Sequence, residues 1–155
     1  MLTETALEDI LILALDDSKT QLMHLTYILE SMGFKVIAFQ NPLIALDYLN
    51  KKGSILPDVI LSDITMPYID GCEFCRRVKL NSDIKHIPLI FITSLSSELD
   101  QCKGLDSGAV DYITKPYNEQ LVKKRILVHY ELDRHKKHLL NRISSKTNEL
   151  ALGDN

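Results

Sequence analysis

Short apolar runs alternate along this chain of 155 residues with longer segments that have the spacing of amphipathic helices. The apolar runs are rich in β-branched residues, which is typical of strands buried on both faces. Five strands are predicted, at residues 10–15, 35–39, 59–63, 89–93 and 109–113. Alternation of this kind predicts a parallel sheet with right-handed crossovers and helices on both faces. The sequence therefore predicts an α/β fold, a doubly wound five-stranded sheet of order 2-1-3-4-5.

Five helices are predicted between and after these strands. The first has an apolar stripe at helical spacing and ends at Gly33, while Pro42 occupies a favourable first-turn position in the second. The last helix begins near Asn118 and meets no proline or glycine before Gly153, so it is predicted to extend into a long C-terminal helix. The predicted helices cover approximately residues 19–32, 41–50, 72–80, 97–106 and 118 onward.

Composition excludes several classes of protein. The formal net charge of −3 provides no general attraction to nucleic acid or to anionic lipid. No apolar run is long enough to span a bilayer, and the first residues lack the basic region of a signal peptide. A cytoplasmic protein is expected. The Cys72-x-x-Cys75 pair falls within a predicted helix without a second pair, so reduced, partly buried thiols are expected rather than a zinc or redox site.

Polar side chains follow four of the predicted strands at the point where each ends. They are Asp16 and Asp17 after strand 1, Asp63 on strand 3, Thr93 and Ser94 on strand 4, and Lys115 after strand 5. Any one of them could be a helix cap or a surface group. Together, at one sheet edge, the carboxylates predict a Mg²⁺ (or Mn²⁺) site, and the lysine and hydroxyl suit a transferred phosphoryl group. An aspartate can itself be the nucleophile and form an acyl phosphate.

These residues resemble the receiver domain of two-component response regulators over roughly residues 10–130. The resemblance rests on the acidic pair after strand 1, on Thr93, and on three further motifs: Asp63 with Met66-Pro67, Asp70-Gly71, and Gly108-Ala109 leading to residues 111–116. It implies phosphorylation by a sensor histidine kinase or phosphotransfer protein, with no enzymatic activity beyond self-catalysed phosphorylation and dephosphorylation.

The resemblance also implies roles for individual residues. Asp63 would be the phosphoacceptor, and the metal would be held by Asp16, Asp17, Asp63 and the backbone carbonyl of Thr65. Thr93 would be the switch hydroxyl, Lys115 would pair with the phosphoryl group, and Tyr112 would be the rotating switch aromatic. Two further implied features are phosphoryl-lifetime tuning by Thr65 and Ser94, and a cis peptide between Lys115 and Pro116.

The predicted organisation is a flexible lead-in at 1–9, a receiver domain at 10–131 and a helical extension at 132–155. Leu132 and Leu139 at one core position of a heptad place Ile143 and Leu150 at the other, which favours a weak coiled coil. This could form a homodimer or a linker to an output domain absent from this chain, such as a diguanylate cyclase, a phosphodiesterase or a kinase. The alternative is a solvated basic helix. Phosphorylation would reach this extension through the fourth helix, the fifth strand and the fifth helix.

Two other functions fit the predicted fold less well. A flavin-binding or redox domain needs a loop rich in glycine and hydroxyl groups after strand 1, yet the residues there are Asp16-Asp17-Ser18. A phosphatase with an aspartate nucleophile usually has a second aspartate two residues later, where this chain has Thr65. The receiver interpretation is therefore favoured.

Overall fold

A computed structural model describes residues 6–94 and 104–153 of the chain. Its centre is one sheet of five parallel strands in the order β2-β1-β3-β4-β5, which confirms the predicted topology. The strands are β1 (Leu11–Leu15), β2 (Lys35–Phe39), β3 (Val59–Asp63), β4 (Leu89–Thr93) and β5 (Asp111–Thr114). Register aligns their carboxyl ends, because Leu15 pairs with Phe39 and Ser62, and Thr93 pairs with Thr114.

The helices lie between and after these strands. They are α1 (Lys19–Ser31), α2 (Pro42–Asn50), α3 (Gly71–Leu80) and the C-terminal helix (Glu119–Gly153). Single 3-10 turns occur at Leu7–Asp9 and Gly104–Ser107. The predicted fourth helix, at 97–106, falls mostly outside the described residues, as do residues 1–5 of the predicted lead-in. The division of the chain into lead-in, receiver and extension stays a prediction.

Side-chain caps fix where the first three helices begin. The Ser18 hydroxyl accepts the N–H of Gln21, so the serine, rather than either neighbouring aspartate, caps α1. Asn41 caps α2 by accepting from Leu43, and Asp70 caps α3. After α1 the chain reverses through Gly33 at φ 107°, a conformation that glycine adopts without steric penalty.

The core forms two layers because successive strand residues face opposite sides of the sheet. Leu13, Ile60 and Phe91 pack on the side that carries α2 and α3. Ile12, Leu61 and Ile90 pack on the other side, against residues of α1 and of the first part of the C-terminal helix. Central strands covered on both faces are continuously apolar, which explains the uninterrupted apolar runs in the sequence.

The structure corrects the expectation of reduced cysteines. Cys72 is disulfide-bonded, whereas Cys75 is a free and buried thiol. The expectation was wrong for Cys72 because spacing along the chain does not determine which thiols approach in space.

Within the residues that the structure describes, no helix combines the length and the apolar character needed to cross a bilayer.

Candidate functional site

Three carboxylates meet at the carboxyl edge of the sheet. Asp16 and Asp17 follow β1, Asp63 ends the adjacent strand β3, and one oxygen from each lies within 4.8 Å of the others. The side chains of Asp16 and Asp63 are only 6% and 14% exposed. Partly buried charges of one sign so close together repel strongly unless a cation compensates them.

Backbone N–H groups donate to one carboxylate oxygen of Asp16 and to one of Asp63. Asp16 Oδ1 accepts the N–H of Ser18 at 2.9 Å, and Asp63 Oδ1 accepts the N–H of Ile64 at 2.8 Å. The second oxygen of each carboxylate faces the ammonium group of Lys115. The two aspartates are therefore fixed in orientation by the turns that follow their strands.

Lys115 reaches into the cluster from the loop after β5. Its Nζ lies 3.4 Å from Asp16 Oδ2 and 3.7 Å from Asp63 Oδ2, and it donates to Gln21 Oε1 at 2.6 Å. The backbone N–H of Lys115 donates to the carbonyl of Thr93 at 2.7 Å, and the peptide bond to Pro116 is cis. The lysine thus stands beside Asp63 with a charge that partly offsets the carboxylates.

The remaining residues singled out by the sequence lie around this edge with different exposure. Thr93 is completely buried at the end of β4, whereas Ser94 beside it and Thr65 after β3 are exposed. Tyr112 on β5 faces outward and is 37% exposed. The guanidinium of Arg125 lies 5.9 Å from the centroid of the Tyr112 ring, within the range of a cation–π contact.

A cavity of about 390 Å³ adjoins the carboxylates and continues along α1. Leu25, Ile28 and Ile92 form part of its apolar lining, and the rings of His24 and Tyr117 stack at 6.2 Å between centroids. Burial raises the pKa of Tyr117, and the negative charges of Asp16 and Glu119 raise that pKa further. The phenol therefore stays neutral beside the acidic cluster.

Gly71 allows the β3–α3 connection to close over the site. Its N–H donates to the carbonyl of Ile64 at 2.6 Å. A Cβ at this position would collide with the carbonyl oxygen of Asp63 and would lie 2.9 Å from the Cα of Ile64. The sequence predicts only a turn at this glycine, but the structure shows a close backbone approach beside Asp63.

Two residues near the site are not identified by the sequence patterns. Gln21 belongs to a Ser18-x-x-Gln21 pattern that would signal a capping box, a purely helical role. Arg125 donates to the backbone carbonyl of Tyr112 and to Asp111 Oδ1 at 3.1 Å, but nothing in its local sequence marks it. Both contacts arise from tertiary proximity, which a residue pattern does not encode.

The donor set fits a hard divalent cation. Three carboxylates that converge from two strand ends supply the oxygen ligands that Mg²⁺ prefers, with Asp17 exposed so that water can reach the group. The ammonium of Lys115 lies 3.7 Å from Asp63 Oδ2 and adds a positive charge to the same edge. The edge can therefore hold a divalent cation beside Asp63.

Comparison with known proteins gives matches over most of the chain. The family model of the response regulator receiver domain matches residues 12–127. Protein PilH of Pseudomonas aeruginosa is 37% identical over 117 residues, which are 74% of this chain and 93% of PilH. The solved receiver domain of a signal transduction histidine kinase from Syntrophus aciditrophicus has a TM-score of 0.70 and 36% identity, covering 78% of this chain and 89% of that chain.

Some relatives are much longer than the matched region. The sensor histidine kinase CheAY of Helicobacter pylori is 39% identical over 110 residues, or 71% of this chain, yet the match spans 14% of that kinase. The region that the family model matches contains the sheet and its acidic edge.

Proposed function

The chain belongs to the response regulator receiver domain family, and from this premise we propose that it accepts a phosphoryl group on Asp63. The donor would be the phosphohistidine of a sensor histidine kinase or of a phosphotransfer protein. The observation that carries the proposal is the convergence of Asp16, Asp17 and Asp63 in one cluster that the ammonium of Lys115 also enters.

In the proposed reaction, a carboxylate oxygen of Asp63 attacks the phosphorus of the phosphohistidine. A phosphorus–oxygen bond forms, the phosphorus–nitrogen bond breaks, and its electron pair returns to the imidazole, which takes up a proton. The acyl phosphate on Asp63 is later hydrolysed by water. Apart from this self-catalysed transfer, no enzymatic activity is proposed for the chain.

Each neighbouring side chain has a role in the proposed transfer. Lys115 places its ammonium beside Asp63, where it would neutralise charge on the phosphoryl oxygens. The buried hydroxyl of Thr93 would donate to one of these oxygens. Asp16, Asp17, Asp63 and the carbonyl of Thr65 would hold Mg²⁺ (or Mn²⁺), which when bound supplies further charge neutralisation. The exposed Thr65 and Ser94 leave water a route to the acyl phosphate and so tune its lifetime.

The cavity along α1 supports a protein as the phosphoryl donor. It opens beside Asp63 and continues over apolar residues, of which Leu25 and Ile28 belong to α1. An apolar surface next to a charged reaction centre suits a partner that inserts a histidine while covering the groove. A cytoplasmic location, without membrane or nucleic-acid contacts, belongs to the same proposal.

The signal would leave through Tyr112 and the C-terminal helix. Capture of the Thr93 hydroxyl by the phosphoryl group would open space beside β4, and Tyr112 would rotate inward to fill it. Because Arg125 of the C-terminal helix contacts Tyr112, that rotation would alter how the helix rests on β5. The proposed output is a change in pairing between the C-terminal helices of two copies, or in a linked domain.

Phosphorylation is tested by incubating the protein with acetyl phosphate and Mg²⁺ and measuring its intact mass. The wild-type chain should gain the mass of one phosphoryl group, and Asp63→Asn should gain none, since an amide cannot form the acyl phosphate. Asp83→Asn, a change at an exposed aspartate before β4, is the matched control and should react like wild type. An undiminished adduct on Asp63→Asn would show that another residue is the acceptor.

A further inference from the structure

The ammonium of Lys115 is closer to a neutral amide than to either carboxylate of the site. Its Nζ donates to Gln21 Oε1 at 2.6 Å, whereas Asp16 Oδ2 and Asp63 Oδ2 are 3.4 Å and 3.7 Å away. A hydrogen bond from a charged donor at this distance is short and strong. One N–H of the ammonium is thus committed to α1, while the other two remain available toward the carboxylates.

The side chain of Gln21 can contact Lys115 because the backbone N–H of Ser18, its partner in a capping box, already donates to another residue. In a capping box the glutamine side chain would accept the N–H of Ser18. Here that N–H donates to Asp16 Oδ1 at 2.9 Å. The backbone of Gln21 is nevertheless fixed, since its N–H donates to the Ser18 hydroxyl at 3.3 Å. A continuous path of hydrogen bonds therefore runs from Asp16 through the first turn of α1 to Lys115.

We propose that Gln21 is a positioning residue that fixes the ammonium of Lys115 for phosphoryl transfer to Asp63. This inference rests on the proposed function. Lysine has a flexible four-carbon stem, so an anchored ammonium reaches the transition state with less loss of conformational freedom. A neutral amide orients the ammonium without neutralising it. The full positive charge of Lys115 therefore stays available to the phosphoryl oxygens.

The test compares phosphorylation rates with acetyl phosphate and saturating Mg²⁺. Gln21→Met has a similar length but no acceptor, and we expect it to slow phosphorylation about 10-fold, as loss of a hydrogen bond to a charged group does. Gln21→Glu keeps an acceptor but neutralises the lysine, so it should also be slow. Gln120→Met makes the same chemical change at an exposed position of the C-terminal helix and should react like wild type.

Two further measurements separate positioning from a general structural effect. In a Lys115→Met background, Gln21→Met should cause no additional slowing, because the residue acts only through the lysine. In the metal-free protein, ¹⁵N NMR of Lys115 Nζ should show slow exchange of the ammonium protons with water in wild type and in Gln21→Glu. In Gln21→Met this exchange should be fast. The affinity for Mg²⁺ should be the same for Gln21→Met and wild type.

The possible failures are distinguishable. If wild type accepts no phosphoryl group, the proposed function fails, and the role of Gln21 in it fails too. If wild type reacts and Gln21→Met reacts equally fast, only the positioning role is overturned. Additive slowing in the Lys115→Met background, or a wild-type rate for Gln21→Glu, would also overturn it.

Discussion

Asp16, Asp17 and Asp63 place three negative charges around one point, and Lys115 supplies one positive charge. Two unit charges 4 Å apart interact by about 1 kcal/mol in water and by more where water is excluded. Folding brings these groups together with one protein cation among them, so we expect repulsion within the cluster to cost stability in the metal-free protein.

Replacing Asp16 by asparagine separates this cost in stability from metal binding. Asp16→Asn keeps an oxygen that can accept the N–H of Ser18 but removes one charge from the cluster. We expect it to stabilise the metal-free protein by about 1 kcal/mol through reduced repulsion. It should also weaken Mg²⁺ binding and slow phosphorylation at least 10-fold, as lost carboxylate ligands do.

Thermal unfolding without metal and calorimetric titration with Mg²⁺ measure the two effects of Asp16→Asn. Asp58→Asn is a poor control because Asp58 accepts the N–H of Leu11, whereas the exposed Asp83→Asn should leave both quantities unchanged. Phosphorylation of wild type that proceeds at full rate in EDTA would contradict the metal role of the cluster.

The sequence predicts some residues of this site and not others for a physical reason. Four of them are predictable because each ends a strand or comes soon after one, and parallel strands bring their carboxyl ends to one edge. They are Asp16, Asp17, Asp63 and Lys115. The sequence does not predict Gln21. Its side-chain oxygen lies 2.6 Å from the ammonium of Lys115, a residue far along the chain. A distance of that kind is a property of the folded structure.

In the β3–α3 connection, the backbone of Gly71 lies against the backbone of Asp63 and Ile64. Gly71→Ala would push a methyl group against the carbonyl of Asp63, so either β3 or the first turn of α3 must shift. We expect a loss of about 1–3 kcal/mol in the free energy of unfolding, the usual cost of overpacking. Phosphorylation should slow as well, because the displaced backbone carries Asp63.

Gly53→Ala is the control for Gly71→Ala. Gly53 has φ 87° but open space around it, so an alanine there meets backbone strain without any clash. It should cost about 1–2 kcal/mol in stability while leaving phosphorylation unchanged. Chemical denaturation and the acetyl phosphate assay report the two quantities for both variants. An alanine at position 71 that preserves the phosphorylation rate would show that the close approach is not needed for the site.

The observed ends of the strands match the predicted ends where the apolar runs and turn residues coincide with the strand pairing. β2, β3 and β4 have the predicted bounds, because apolar runs and the neighbouring turns coincide. β1 starts one residue late, since the N–H of Ile10 bonds back to Leu7 within a 3-10 turn. The sequence predicts β5 at 109–113, but the strand spans Asp111–Thr114, because its pairing with β4 begins at Asp111 and ends at Thr114. Thr114 is a polar residue that an apolar run does not include.

The C-terminal helix packs against the sheet near its start and carries an exposed apolar surface further along. Near its start it is tied to β5, where Asp111 pairs with Arg125 at 3.1 Å and with His129 at 3.0 Å. Beyond the buried Tyr130 it presents apolar side chains to solvent, and two of them, Leu132 and Ile143, are 58% and 62% exposed. The full set among the described side chains of this segment is Leu132, Leu139, Leu140 and Ile143.

This surface suits a second helix only weakly. The apolar residues recur at helical spacing, yet Lys136 lies among them and would face the same residue of a partner helix. A marginal interface is sensitive to small changes in how the helix is held. The ties from Arg125 to Tyr112 and Asp111 are therefore where phosphorylation of Asp63 would alter the association of two chains.

We expect beryllofluoride, a phosphoryl mimic, to change the dimer dissociation constant. Coupling between two sites is typically about 1–3 kcal/mol, which corresponds to a change of about 5- to 150-fold. Analytical ultracentrifugation with and without the mimic measures it. Ile143→Lys should weaken the dimer in both states by adding charge to the apolar surface, whereas Leu80→Lys, at an exposed leucine ending α3, should not. Equal dissociation constants with and without the mimic would mean that the helix does not transmit the signal by pairing.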